Sequence, residues 1–184
     1  ISVCLVGSEM CIRDSSETTV IPEMDNLIEW LPQNIPPGEE TSIVHGDFRL
    51  DNMVFDKNSN EVIAILDWEL STLGHPIADF TYHMMTWRMP LGVQGIGILG
   101  ANLDELNIPN ENEYADAYYQ KTNRNEIHNW DFFLAYNMFR LAGITQGIAG
   151  RVRDGTASSD QAKQYGAFVP ILSQMAWKIV ENIK

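Results

Sequence analysis

The sequence predicts an α+β fold, mainly α, in which a few short strands precede a helical majority. Two patterns carry that expectation. Three brief apolar runs, at 42–44, 53–55 and 62–66, lie close together, and the last two flank the turn-rich stretch DKNSNE, which reads as a hairpin. From residue 76 onward the apolar residues instead recur every three or four positions, the spacing of one helix face. No repeat and no linker divides the chain, and 184 residues that are 45% hydrophobic can build a core and are not disordered.

The elements follow in order. Met24, Leu27, Ile28 and Leu31 stand at helical spacing after Pro22, and Pro32, Pro36 and Pro37 are expected to end that helix in a rigid loop. The strand at 42–44 feeds the tripeptide His45-Gly46-Asp47, and the runs at 53–55 and 62–66 pair with each other. Pro76 then favours a helix start for IADFTYHMMTWR, which Pro90 and the glycine-rich LGVQGIGILG close as a loop. Residues 111–122 form a further helix. Trp130, Leu134, Met138, Leu141, Thr145 and Ile148 trace one face of a longer helix, and Tyr165, Phe168, Leu172, Met175, Ile179 and Ile183 trace another. Between these two lies RDGTASSD, where Ser158 or Ser159 can cap the final helix.

Charge narrows the function classes. Twenty-five acids against twelve Lys plus Arg leave a net charge of −13, which disfavours nonspecific binding to nucleic acid or to an anionic membrane. No apolar run reaches the roughly 20 residues of a membrane span, and no secretion signal opens the chain, so a cytoplasmic location is expected. The first fifteen residues read unlike the rest. Residues 5–15, LVGSEMCIRDS, match the in-frame translation of a transposase adapter used to prepare sequencing libraries. The expectation is a non-native head at 1–15 and a domain at 16–184; the alternative is a genuine N-terminal strand and turn. Both cysteines, Cys4 and Cys11, fall in that head, so disulfides and thiolate metal sites are not expected in the domain.

Asp47 and Asn52 lie five apart on one loop, and Asp67 follows fifteen residues later at the end of the run VIAIL. This is the spacing of a phosphoryl-transfer site. There one carboxylate accepts the proton of the nucleophilic hydroxyl, and an Asn oxygen on the same loop holds magnesium. A second carboxylate at a strand end joins that ion to the nucleotide phosphates. Three hard oxygen donors suit magnesium and not zinc. The hairpin supplies the geometry, because it returns the end of one strand to the loop that precedes the other.

H-G-D-x-x-x-x-N at 45–52, D-W-E at 67–69 and G-H-P-x-x-D at 74–79 together resemble the aminoglycoside phosphotransferase and choline kinase superfamily, whose fold is protein-kinase-like. The wording LDWELSTLGHPIAD and FRLAGITQGIAGRVRDGTASS is more particularly similar to the branch fused, in animals, to an acyl-CoA dehydrogenase. That resemblance covers about 21–184. It implies a C-terminal kinase lobe whose small β-hairpin carries the catalytic loop, with ATP and Mg2+ as cofactors and a small-molecule hydroxyl as acceptor. Asp47 is then the catalytic base, Asn52 and Asp67 the magnesium and nucleotide-side ligands, His45 a loop organiser and Asp79 a structural anion. Arg49 faces either the transferred phosphate or solvent. Glu69 replaces the glycine of the protein-kinase D-F-G, Gly46 replaces the arginine that often precedes the catalytic Asp, and no A-P-E follows, so a small-molecule kinase is favoured over a protein kinase.

Other residues admit plainer readings. His75 and His83 are a loop residue and a helix-surface or core residue rather than metal ligands. Trp87, Trp130 and Trp177 are core, with Trp87 the one that could line an acceptor pocket. Arg140, Arg151 and Arg153 read as solvated surface, the alternative being contact with an anionic substrate. The acceptor pocket is expected in the helical part, between about residues 86 and 153, and a hydroxyacyl thioester of coenzyme A is the acceptor that the resemblance suggests. A kinase of this kind also needs a glycine-rich loop and a strand lysine to grip the phosphates. No lysine precedes Lys57, so the N-terminal lobe is expected to be missing and the 184 residues alone to be inactive or nearly so. Two readings from other classes stand beside this one: a degenerate kinase-like ligand-binding or regulatory module, and a two-metal phosphohydrolase, for which the sequence lacks the extra ligands.

Overall fold

The computed structural model describes residues 20–37, 40–92, 96–124, 129–156 and 162–183. Both the 5–15 segment and the Ser158/Ser159 cap lie outside the described residues. Helix α1, Pro22–Gln33, starts on Pro22, whose missing N–H is no loss in a first turn, and buries Met24, Leu27 and Leu31. Pro32 lies inside its last turn instead of beyond it. Near a helix end a proline removes only one late hydrogen bond, and Asn34 ties off the turn by donating from its backbone to Leu31 O and from its side chain to Trp30 O at 2.8 Å.

Four short strands follow: β1, Ser42–Val44; β2, Met53–Phe55; β3, Val62–Ile65; β4, Thr72–Gly74. The expected hairpin is present, antiparallel with Met53 opposite Ile65, Val54 opposite Ala64 and a register shift at Val54/Phe55. Its turn closes on Asp56, whose Oδ1 accepts from the N–H groups of Asn58 and Ser59, while Asn60 takes the left-handed conformation. Strand β4 was not foreseen. It pairs antiparallel with β1, Ser42 opposite Gly74 and Val44 opposite Thr72. A three-residue strand ending in glycine gives no alternation to read.

Helices α2 (Pro76–Arg88), α3 (Glu111–Thr122), α4 (Trp130–Arg153), α5 (Ala162–Tyr165) and α6 (Phe168–Glu181) complete the described chain. Helix α4 is apolar almost all round, which fits a helix with neighbours on opposite sides; it packs between α2 and α6. Phe133, Leu134, Met138 and Phe139 of α4 form the core with Leu27 and Leu31 of α1, Met85 of α2 and Leu172 of α6. The sequence trace of the final helix needs two corrections. The helix is interrupted at Gly166 and Ala167, where a side chain on Gly166 would sit 3.1 Å from Ala149 Cβ of α4. The buried face is Val169, Leu172, Ser173, Ala176 and Val180, so small residues face α4 while Met175 and Ile179 lie at the rim. Close helix packing selects small side chains over the most hydrophobic ones.

Candidate active site

The loop between β1 and β2 is fixed from beneath. Asp79, in the first turn of α2, accepts from the backbone N–H of His45 through Oδ2 and from that of Gly46 through Oδ1, the latter at 2.9 Å. Two adjacent backbone donors that would otherwise be orphaned are thereby satisfied by one carboxylate. Gly46 has φ +84°, and a Cβ there would meet Leu70 O at 2.6 Å, so this position requires glycine.

His45 is buried, at 2% exposure. Its Nε2 lies 2.7 Å from Leu66 O and its Nδ1 accepts from Asp47 N–H at 3.2 Å. Since the carbonyl can only accept, the ring is the neutral Nε2–H tautomer. One imidazole thus links the residue that carries the loop carboxylate to the residue that precedes Asp67. Trp68 packs over it, with ring centroids 4.8 Å apart.

Asn52 ends the single 3₁₀ turn Leu50–Asn52 and donates through Nδ2 to Asp47 O at 2.9 Å and to Asp47 Oδ2 at 3.0 Å. With its amide hydrogens turned toward Asp47, its remaining polar atom is the acceptor Oδ1. Asn52 O also accepts from Leu66 N–H at 2.8 Å, which extends the β2–β3 pairing to the residue before Asp67. Asp67 itself has φ 64°, ψ 54° and is exposed. Among the described residues the other non-glycine positive-φ positions are all asparagines, and asparagine and aspartate are the side chains that most readily adopt this left-handed conformation.

Tyr82 of α2 reaches the same loop. Burial, reinforced by the nearby negative charge of Asp47, pushes its phenol up to about 12. Arg140 of α4 lies over the Tyr82 ring at 5.5 Å and over Tyr136 at 5.7 Å, and donates to Gly46 O at 2.9 Å and to Asn137 Oδ1 at 3.2 Å. Asn137 is fully buried and donates to Ala78 O and Thr81 Oγ1 of α2. Arg140 is therefore not a solvated surface residue, and Tyr82 and Asn137 join the site unannounced by any spacing. The polar pair Asn137 and Arg140 inside the apolar run LAYNMFRLAG is the signal that could have flagged those two.

Arg49 forms an ion pair with Asp51, and its Nε is buried without a partner. Burial works against its charge, but Asp51, with Tyr82 and Asp47 nearby, holds it above the ordinary arginine value. His75 caps α2 by accepting from Ile77 N–H, and burial lowers its pKa. His83 is buried against Phe48, Trp87 and Tyr114, and burial pushes its imidazole down as well, toward the neutral form. Trp87 donates to Pro109 O and packs on Tyr114. Arg151 and Arg153 are exposed, the latter paired with Asp154.

A sequence profile described as "Phosphotransferase enzyme family" matches residues 9–120, more than half of the chain. The chain belongs to the phosphotransferase enzyme family. It is 41% identical over 164 residues to acyl-CoA dehydrogenase family member 10 of Mus musculus, covering 89% of this chain and 15% of that protein. Acyl-CoA dehydrogenase family member 11 of Homo sapiens is 40% identical over 180 residues, covering 92% of this chain and 23% of that protein. A crystal structure from Ralstonia eutropha, provisionally assigned as an aminoglycoside phosphotransferase, superposes with a TM-score of 0.89 at 46% identity, over 100% of this chain and 55% of that one. The chain thus spans less than a quarter of those curated relatives and just over half of the solved one.

The donors fit a hard cation. Asn52 Oδ1 and the Asp67 carboxylate offer oxygen donors at the two ends of one hairpin, a donor type that suits magnesium and not a thiolate or imidazole metal. No cluster of three or more His, Cys, Asp or Glu suited to a metal occurs among the described residues. No helix among the described residues is long and apolar enough to cross a membrane.

Proposed function

We propose that the full-length protein transfers the γ-phosphoryl group of ATP to the hydroxyl of a small molecule, and that Asp47 is the base. The observation that carries this reading is the Asp47 carboxylate, oriented by Asn52 Nδ2 at 3.0 Å on a loop pinned by Asp79. The acceptor oxygen forms its bond to the γ-phosphorus, the bond to ADP breaks, and the hydroxyl proton passes to Asp47. Asn52 and Asp67 hold magnesium, which when bound neutralises charge on the phosphates. Arg49, with one buried donor free and next to Asp47, faces the transferred phosphoryl group. His45 and Asp79 keep the loop in shape without touching substrate.

A hydroxyacyl thioester of coenzyme A is the proposed acceptor, supported by the acyl-CoA dehydrogenase names of the relatives. The 184 residues alone are proposed to be inactive, because transfer of this kind depends on positioning both reactants and neither a glycine-rich loop nor a lysine stands before Asp47 to grip the nucleotide. Steady-state assays on the full-length protein with ATP, Mg2+ and a panel of hydroxyacyl-CoA thioesters test the reading. Asp47→Asn should lower kcat by about a hundredfold or more while ATP binding persists. Nucleotide binding without transfer in the unaltered protein would instead favour a regulatory module, and normal turnover by the 184-residue chain would overturn the inactivity.

A further inference from the structure

We propose that Asn137 and Arg140 of α4 are positioning residues, which hold the peptide group joining Gly46 to Asp47 and so fix the backbone from which the Asp47 side chain projects. This rests on the reading of Asp47 as the base. Gly46 must be glycine to clear Leu70 O, and that leaves the residue before the base with no side chain to limit its backbone rotation. Hydrogen bonds supply the limit instead. The Gly46 N–H donates to Asp79 Oδ1 at 2.9 Å, and the Gly46 carbonyl accepts from Arg140 Nη2 at 2.9 Å. At the other end of that same peptide, the Asp47 N–H donates to His45 Nδ1 at 3.2 Å. Because a peptide group is planar, holding both its oxygen and its N–H fixes the direction in which the Asp47 Cα leaves it. Beyond Asp47, Asn52 Nδ2 donates to the next carbonyl at 2.9 Å and to the carboxylate at 3.0 Å.

The hold from α4 is itself anchored. Arg140 Nη1 donates to Asn137 Oδ1 at 3.2 Å, and Asn137 Nδ2 donates to Ala78 O at 2.8 Å and to Thr81 Oγ1 at 2.9 Å. Ala78 is covalently joined to Asp79, so the bonds close a ring from Gly46 to Asp79, across to Asn137 and Arg140, and back to Gly46. The Asn137 amide cannot be reversed within it, since Ala78 O only accepts and a guanidinium only donates. Two features argue for more than core filling. Asn137 is fully buried beside Leu134, Met138 and Phe139, where an apolar pair in place of Asn137 and Arg140 would cost little stability. Among the described residues no carboxylate forms an ion pair with Arg140, whose directed bonds go to the loop carbonyl and to the asparagine that locates it. Arginine suits the task because its planar fork addresses two oxygens in fixed directions, which the single ammonium of lysine does not.

The test uses the full-length protein, with Arg140→Met, Arg140→Lys and Asn137→Leu. A misplaced base is expected to lower kcat by about tenfold to a hundredfold in Arg140→Met, with KM for both substrates within about twofold. Arg140→Lys should recover only part of the loss, and Asn137→Leu, which leaves Arg140 with one anchor of two, should fall between Arg140→Met and wild type. Hydrogen–deuterium exchange supplies a readout independent of turnover: residues 45–52 should exchange faster in Arg140→Met, while α6 keeps its wild-type rate, which separates local release of the loop from general destabilisation. Wild-type kcat in Arg140→Met overturns the proposal, and a loss confined to KM overturns it too, by making Arg140 a substrate contact. If Arg140→Met does not fold, Arg140→Lys and Asn137→Leu are judged by the same criteria. If the unaltered protein transfers no phosphoryl group, the kinase reading falls by itself, and unchanged exchange at 45–52 in the variants then overturns the ring.

Discussion

His45 and Asp67 stand on either side of one hydrogen bond, His45 Nε2 to Leu66 O, yet they live in different environments. His45 is buried, with Asp79 of α2 beneath it and Arg140 of α4 beside its neighbour. Asp67 is exposed at the end of a two-stranded ribbon whose Phe55, Val62, Ile63 and Leu66 also face outward. The Asp47 side of the site is therefore anchored in the helical core, while the Asp67 side rests on a hairpin, an element that is marginal when it has no layer against it. Damage to the two halves should differ in size and in kind.

The largest stability effect is expected from Asp79→Ala. It strands the N–H groups of His45 and Gly46, and a loss of about 3 kcal/mol follows from two unsatisfied buried donors. Thermal or urea unfolding measures it, and a change below 1 kcal/mol would mean that the loop is not held from beneath. Gly46→Ala comes next, at about 2 kcal/mol, because the new Cβ meets Leu70 O in a backbone region that side chains rarely adopt.

Tyr82 gives a smaller and pH-specific effect. Its phenol is raised in the folded protein, so the stability it lends is fully present below its unfolded value of about 10 and is lost as pH rises through about 12. Unfolding curves of wild type and Tyr82→Phe should converge across that window; parallel curves would mean that burial does not raise the Tyr82 phenol. The smallest effect belongs to the ribbon. Ile63→Thr, at a position 61% exposed, should change the stability of the 184-residue chain by no more than about 0.5 kcal/mol. A distinctly larger loss in the full-length protein would show that the ribbon face acquires a partner there.

The same division marks what the sequence made legible. Local signals were sufficient for the hairpin, whose turn residues announce themselves, and for the long helix α4, whose apolar positions persist over many turns. The loop residues Asp47 and Asn52 were readable because their partnership is confined to five positions. Asn137 and Arg140 were not, since each acts through contacts 56 to 94 residues distant along the chain, and periodicity says nothing about which polar group meets which. Strand β4 escaped for a related reason, its identity lying in its pairing with β1. The last helix was misphased because contact with α4 favours Ser173 and Ala176 over larger neighbours.

The antiparallel match of β1 with β4 has a topological meaning. Everything from His45 to Ser71 is a closed excursion that leaves and re-enters the helical body through one stem, with Ser42 facing Gly74 at its base. The distal tip, residues 57–60, is solvent-exposed and touches none of that stem. A peptide tag or a protease nick placed there should leave the stem zipped and both carboxylates attached to the same body, which makes the tip a natural handle for labelling the site without entering it.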